Sequence, residues 1–137
     1  MRQSPAWLLW HLHWGPVRLP DYIVNFHNFY GADPPWVVAY LACYIQSESD
    51  QANLLMRVGS QDQSKVYLNG AEIYRCENPR KYVPDQDVVT NGVALKKGSN
   101  VLVFKVVTEE DASHASLRFA DAAGRPLKGI RVTLTPP

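Results

Sequence analysis

Apolar residues recur at every second position through most of this chain, and nowhere do they settle into the spacing of an amphipathic helix. From Val37 to Gln46, the set Val37, Ala39, Leu41, Cys43 and Ile45 alternates with Val38, Tyr40, Ala42 and Tyr44. Both sets are apolar, which predicts a central strand covered on both faces. After the polar turn Ser47-Glu-Ser-Asp-Gln51, Leu54, Met56 and Val58 share one face opposite Asn53 and Arg57, the pattern of a half-buried strand. Lys65 to Leu68 and Glu72 to Tyr74 flank Asn69-Gly70, a pair that supplies the positive φ angles of a type I′ hairpin turn. Leu102, Phe104 and Val106 then face a core, with Val103 and Lys105 on the other side. Ala115 to Ala120 and Ile130 to Leu134 read as the last two strands, and an early strand falls within Asp21 to Tyr30. Cys76 to Asp87 reads as a loop with one helical turn at Pro84 to Asp87. Short strands at regular spacing, joined by turns, predict an all-β, antiparallel β-sandwich.

Length and composition narrow this picture without changing it. A chain of 137 residues suits one domain, residues 1–137, with a two-layer core. The formal net charge of +1 gives no electrostatic reason to expect nucleic acid or an anionic membrane as partner. No apolar run approaches the ~20 residues of a membrane-spanning helix. The opening Pro5-Ala-Trp-Leu-Leu-Trp-His-Leu-His-Trp14 is apolar but carries two His and three Trp and no small-residue cleavage site, so residues 1–20 are expected to be part of the fold, packing on the sandwich or on a partner. Cys43 and Cys76 are the only cysteines. Cys43 fits a small buried hydrophobe within its strand, and pairing of the two is left open.

The run Lys65-Val-Tyr-Leu-Asn-Gly70 followed by Leu95-Lys-Lys-Gly-Ser-Asn-Val-Leu-Val-Phe-Lys105 resembles the galactose-binding-like, jelly-roll sandwich, over roughly Trp36 to Pro136. That group occurs as an accessory, sugar-binding domain of glycosidases and other secreted bacterial proteins. The resemblance implies a carbohydrate partner, a non-catalytic role, no cofactor and an extracellular or periplasmic setting. A neighbouring group, the PA14-like modules, carries a Gly-Ser-Asp-Asp-Gly loop whose paired aspartates hold calcium. The matching stretch here is Gly59-Ser-Gln61-Asp62-Gln63, with one carboxylate and the second Gly replaced. A hard cation needs several oxygen ligands with enough negative charge, so no calcium site is expected.

Candidate chemistry concentrates in two places. Tyr67, Tyr74, Arg80 and Tyr82, with Arg75 and Lys81 beside them, combine rings that stack on sugar C–H faces with planar donors for hydroxyls. These four are the expected ligand-binding residues. Trp7, Trp10 and Trp14 form either a stacking platform or an interface. Interface is the expectation, since so much apolar area rarely stays exposed. His11 and His13, with His27 and His114 elsewhere, lack a fixed third ligand for a metal. Glu109-Glu-Asp111 offers adjacent carboxylates, not a pair facing across a cleft, and no nucleophile elbow is present. The expected function is therefore non-catalytic carbohydrate binding. The alternative is a structural or interaction domain that forms a homodimer through its Trp-rich segment, and a small hydrolase is the weaker third reading.

Overall fold

The structure is a computed structural model that describes residues 4–10, 13–19, 22–26, 37–78, 80–108 and 114–135. Eleven strands are present among them: β1 (Ser4–Trp10), β2 (His13–Leu19), β3 (Ile23–Asn25), β4 (Val37–Ser47), β5 (Leu55–Ser60), β6 (Ser64–Leu68), β7 (Ala71–Cys76), β8 (Asp87–Val89), β9 (Gly98–Thr108), β10 (His114–Ala120) and β11 (Ile130–Thr133). They form two antiparallel sheets. The larger runs β2-β1-β4-β9-β6-β7, and the smaller runs β3-β10-β5-β8. From β7 onward each successive strand changes sheet, so the chain laces the two layers together. This is the antiparallel β-sandwich that the alternating pattern predicts.

The hub of the large sheet is β4. One of its edges pairs along its whole length with β9. Its other edge is shared end to end: β1 pairs with Tyr40–Ala42 and β11 with Tyr44–Ser47. The N-terminal segment is thus built into the sheet, with β2 outside β1. The core lies between the layers. Ala39, Leu41 and Ile45 of β4, Leu102, Phe104 and Val106 of β9, and Val66 and Leu68 of β6 meet Val24, Met56, Val58 and Ala115 from the small sheet.

The expectation that β4 is covered on both faces does not hold. Its second face turns outward, with Val38 46% exposed and Tyr40, Ala42 and Tyr44 half-buried. Nor does Pro84 to Asp87 form a helical turn. Asp85 adopts φ 57°, which breaks any helical run, and Asp87 opens β8.

Asn69 and Gly70 take φ 51° and 84°, the left-handed pair of the hairpin turn. A wholly buried carboxamide fastens this turn. Asn100 Oδ1 accepts from Asn69 Nδ2 at 2.9 Å and from the Lys96 amide at 3.0 Å. Asn100 Nδ2 donates to the carbonyls of Lys96 (2.9 Å), Gly98 (3.2 Å) and, on β4, Ile45 (3.2 Å). Asn69 then accepts the Val101 amide at 2.9 Å and returns its own amide to the Val101 carbonyl at 2.8 Å. Three segments distant in sequence are joined through one side chain. Truncating it would strand several buried polar groups, each costing about 1–3 kcal/mol. Asn100→Ala is therefore expected to destabilise the domain by roughly 3 kcal/mol in urea unfolding, with Asn69→Ala losing less because that residue is exposed. A loss of only a few tenths of a kcal/mol for Asn100→Ala would show that the network is marginal.

Candidate functional site

The four tyrosine and arginine positions expected to bind ligand fall in three different places. Tyr74 and Arg80 come together. Tyr74 lies opposite Val66 on β7 and points between the layers, where its hydroxyl donates to Asp87 Oδ2 at 2.6 Å. Arg80 Nη1 reaches the same oxygen at 2.8 Å, and Nη2 donates to the Tyr74 hydroxyl at 3.0 Å. Arg80 also ties its loop to the end of β5, through Nε to the Ser60 carbonyl (3.3 Å) and through its amide to the Gln61 carbonyl (2.9 Å). Since β7 edges one sheet and β8 the other, the triad is a polar clasp across the side of the sandwich where those edges meet. Its groups are spent on one another.

The charge states follow from this geometry. Burial, the hydrogen bond to Asp87 and that residue's charge push the Tyr74 phenol far up, against the opposing Arg80 charge. For Asp87, partial burial works upward, but the hydrogen bonds from Tyr74 and Arg80 and the guanidinium charge outweigh it and hold the carboxyl below its usual range.

Tyr82 lies elsewhere, on the outward face of the small sheet. It stacks on His114, ring centroids 5.5 Å apart and 21° from parallel, and crosses Gly59 of β5. A methyl group at Gly59 would fall 2.5 Å from the Val83 carbonyl oxygen and 2.9 Å from Ser116 Oγ, so only glycine lets this loop lie flat on the sheet. Further along the same face Arg118 pairs through both nitrogens with Asp85 (Nε to Oδ1 3.1 Å) and stacks 4.5 Å from the Tyr22 ring centroid. The small sheet's outer face is covered by the chain's own loop.

Tyr67 is on the outward face of the large sheet. Its neighbours there are Lys65 on β6, Val101, Val103 and Lys105 on β9, and Tyr40, Ala42 and Tyr44 on β4. No described segment crosses this face, and Val38 and Val101 are 46% and 39% exposed on it. It is strand-borne and aromatic. Tyr40 and Tyr44 are the members that the loop-centred reading passes over. Their signal was present: two tyrosines four residues apart, both out of phase with the aliphatic Ala39, Leu41 and Ile45.

An apolar groove of about 470 Å³ opens between the layers on the side away from the clasp, lined by Leu41, Cys43, Phe104, Leu117, Phe119 and Ile130 among others. It presents few polar groups, which suits a sugar poorly. Cys43 and Cys76 are both free thiols, and burial pushes that of Cys43 up to about 12. The side chains of Trp7, Trp10 and Trp14, together with His11, His27 and Glu109 to Asp111, lie outside the described residues. Among the described residues no cluster of three metal-ligating side chains occurs.

No protein-family model matches the sequence, and no curated protein matches it either. Solved structures do match. The PA14 domain of the antifreeze protein MpAFP superposes with a TM-score of 0.53 at 14% identity, over 74% of this chain and 56% of that one. A β-glucosidase from Kluyveromyces marxianus gives 0.60 at 12% identity, over 85% of this chain and 14% of the enzyme. A GH31 α-xylosidase from Xanthomonas citri gives 0.57 at 12% identity, over 94% of this chain and 16% of the enzyme. The likeness is one of fold. This chain corresponds to a small part of each glycosidase and to about half of the antifreeze-protein structure.

The clasp carries a pH dependence whose sign is fixed. Asp87 has a folded-state pKa below 3.8, so near that pH the unfolded chain binds more protons than the folded one. Its stabilisation is complete above the unfolded value and disappears as pH falls through the folded one. Asp87→Asn is expected to lower stability by about 1 kcal/mol at neutral pH, given the partial exposure of the pair. The gap between wild type and variant should narrow as thermal melts are repeated at pH values falling below 3.8. A gap independent of pH would show that the carboxylate charge plays no part.

Proposed function

We propose that this chain is a non-catalytic carbohydrate-binding module whose ligand lies on the outward face of the large sheet. The observation that carries this reading is the placement of Tyr40, Tyr44 and Tyr67 on one face that no described segment crosses. Aromatic rings set on a pleated surface match the alternating C–H faces of a pyranose chain, and each phenol adds a hydroxyl-directed hydrogen bond. Tyr40 and Tyr44 are separated by roughly 13 Å along β4, and Tyr67 lies roughly 10 Å across two inter-strand gaps. That span suits a short oligosaccharide rather than a single sugar. Strand-borne rings lose little freedom on binding, so a modest contact area still yields net affinity.

Likeness of fold to parts of a β-glucosidase and an α-xylosidase is compatible with an accessory role beside a sugar-processing enzyme. Tyr74 and Arg80 serve this reading indirectly, holding the two sheet edges together, and Tyr67 is the member of the original four that meets ligand.

Isothermal titration against a panel of plant, fungal and bacterial oligosaccharides tests the proposal. Tyr67→Ala and Tyr40→Ala are each expected to weaken binding about tenfold, the worth of one stacked ring. Tyr82→Phe, on the other sheet, should leave affinity unchanged. Absence of binding to every glycan class would overturn the reading.

A further inference from the structure

The tyrosine face ends in a row of cations. Arg75 on β7, Lys65 on β6 and Lys105 on β9 are successive Cα partners across three strands, and Tyr40 on β4 continues the row. Like charges placed directly opposite one another on a sheet destabilise it, so their compensation can be followed residue by residue. Arg75 is fully engaged, with Glu72 at 3.0 Å and Glu77 at 2.8 Å. Lys65 shares Glu72 at only 3.8 Å, well beyond the 2.7–2.9 Å typical of a strong charge-assisted bond. Lys105 has no carboxylate partner among the described residues and rests over the Tyr40 ring, 5.6 Å from its centroid. Among the described residues the row thus sets three cations against two carboxylates, and the excess sits between Lys65 and Lys105. There a cleft of about 320 Å³ opens, lined by Gln63, Lys65, Cys76, Glu77, Lys105 and Val107, with the Glu77 carboxylate paired to Arg75.

We propose that this cleft receives the negative group of an acidic sugar, so that the module's ligand is an anionic glycan bearing uronate or sulfate groups. The inference rests on the carbohydrate-binding reading above and specifies its ligand class. The anion bridges the two ammonium groups, relieving their mutual repulsion. The Gln63 amide supplies a neutral donor, and the adjoining ring lies on Tyr40 or Tyr67. The tyrosine rings beside the cleft stack on a sugar face and gain nothing from a polypeptide, so an anion carried on a sugar is favoured over the same charge on poly-glutamate.

Affinity electrophoresis and titration calorimetry on the whole chain test this with four polymers: polygalacturonate, the same polymer fully methyl-esterified, dextran sulfate and poly-glutamate. The expected result is binding to polygalacturonate or dextran sulfate, whichever anion fits, with poly-glutamate at least about tenfold weaker. Esterification should cost polygalacturonate about tenfold or more, and Lys65→Gln and Lys105→Gln should each cost a similar factor on the acidic glycan. Lys96→Gln, a solvated turn lysine, should change nothing. Equal binding of acid and ester, equal binding of poly-glutamate, or indifference to both lysine variants would overturn the proposal. If a neutral glycan binds and only the tyrosine variants abolish it, the anionic assignment falls while carbohydrate binding stands. If no glycan of either kind binds, both fall.

Discussion

One buried carboxamide organises the centre of this sandwich. The Asn100 side chain bonds to β4, to the turn before β9 and to the β6–β7 turn, so three strands of the large sheet take their alignment from it. A buried polar group is tolerable only when its donors and acceptors are met, and here two N–H bonds are shared among three carbonyls while one oxygen accepts twice. The arrangement works in one register alone. Slipping β6 by a residue against β9 would turn Val66 and Leu68 outward and also leave Asn100 unmatched. Register in turn decides which residues share a face. The positions of Tyr67 and Lys65 opposite Val103 and Lys105 are consequences of that single fastening.

This explains why the fold was largely legible in the sequence and the site was not. Alternation is a local signal: Leu54, Met56 and Val58, or Leu102, Phe104 and Val106, announce a buried face within six residues, and all are buried. Asn69-Gly70 declares its turn through the backbone angles only that pair adopts cheaply. A binding face instead depends on which strands become neighbours. Tyr67 and Tyr74 stand seven positions apart, and the register shift between Val66 and Tyr67 helps place them on opposite sides of the same hairpin. Arg80 looks like a free loop cation until Asp87 and Tyr74 arrive from the two sheet edges. Tyr40 and Tyr44 look like core residues because their face of β4 is as apolar as the inner one. The absence of any described segment across that face decides otherwise.

The two sheets have been treated unequally. The small sheet spends its outward face on its own chain: Gly59 admits the Val83 backbone, Tyr82 stacks on His114, and Arg118 is held by Asp85. These contacts consume the donors and rings that a ligand would use. On the large sheet no described segment lies over the half-buried tyrosines, although covering Val38 and Val101 would remove apolar area from water at about 25 cal/mol per Å². Apolar exposure is not confined to this sheet, since Val83 and Val88 on the other side are 54% and 55% exposed, but among the described residues only here does it adjoin three tyrosines.

The clasp of Tyr74, Arg80 and Asp87 bears on the open face through rigidity. β7 is an edge strand, and an edge free to twist would carry Arg75, Glu72 and the near wall of the cationic cleft with it. Anchoring Tyr74 to β8 fixes β7 from its inner side, while Lys65 and Arg75 reach Glu72 on its outer side. The exposed ion pairs contribute little stability on their own. Their orientation is what the arrangement secures: with Glu72 and Glu77 drawn toward Arg75, Lys65 keeps only a carboxylate at 3.8 Å and Lys105 has none among the described residues. The inward hydrogen bond of Tyr74 and the outward ion pairs of Glu72 thus hold one edge strand from its two sides.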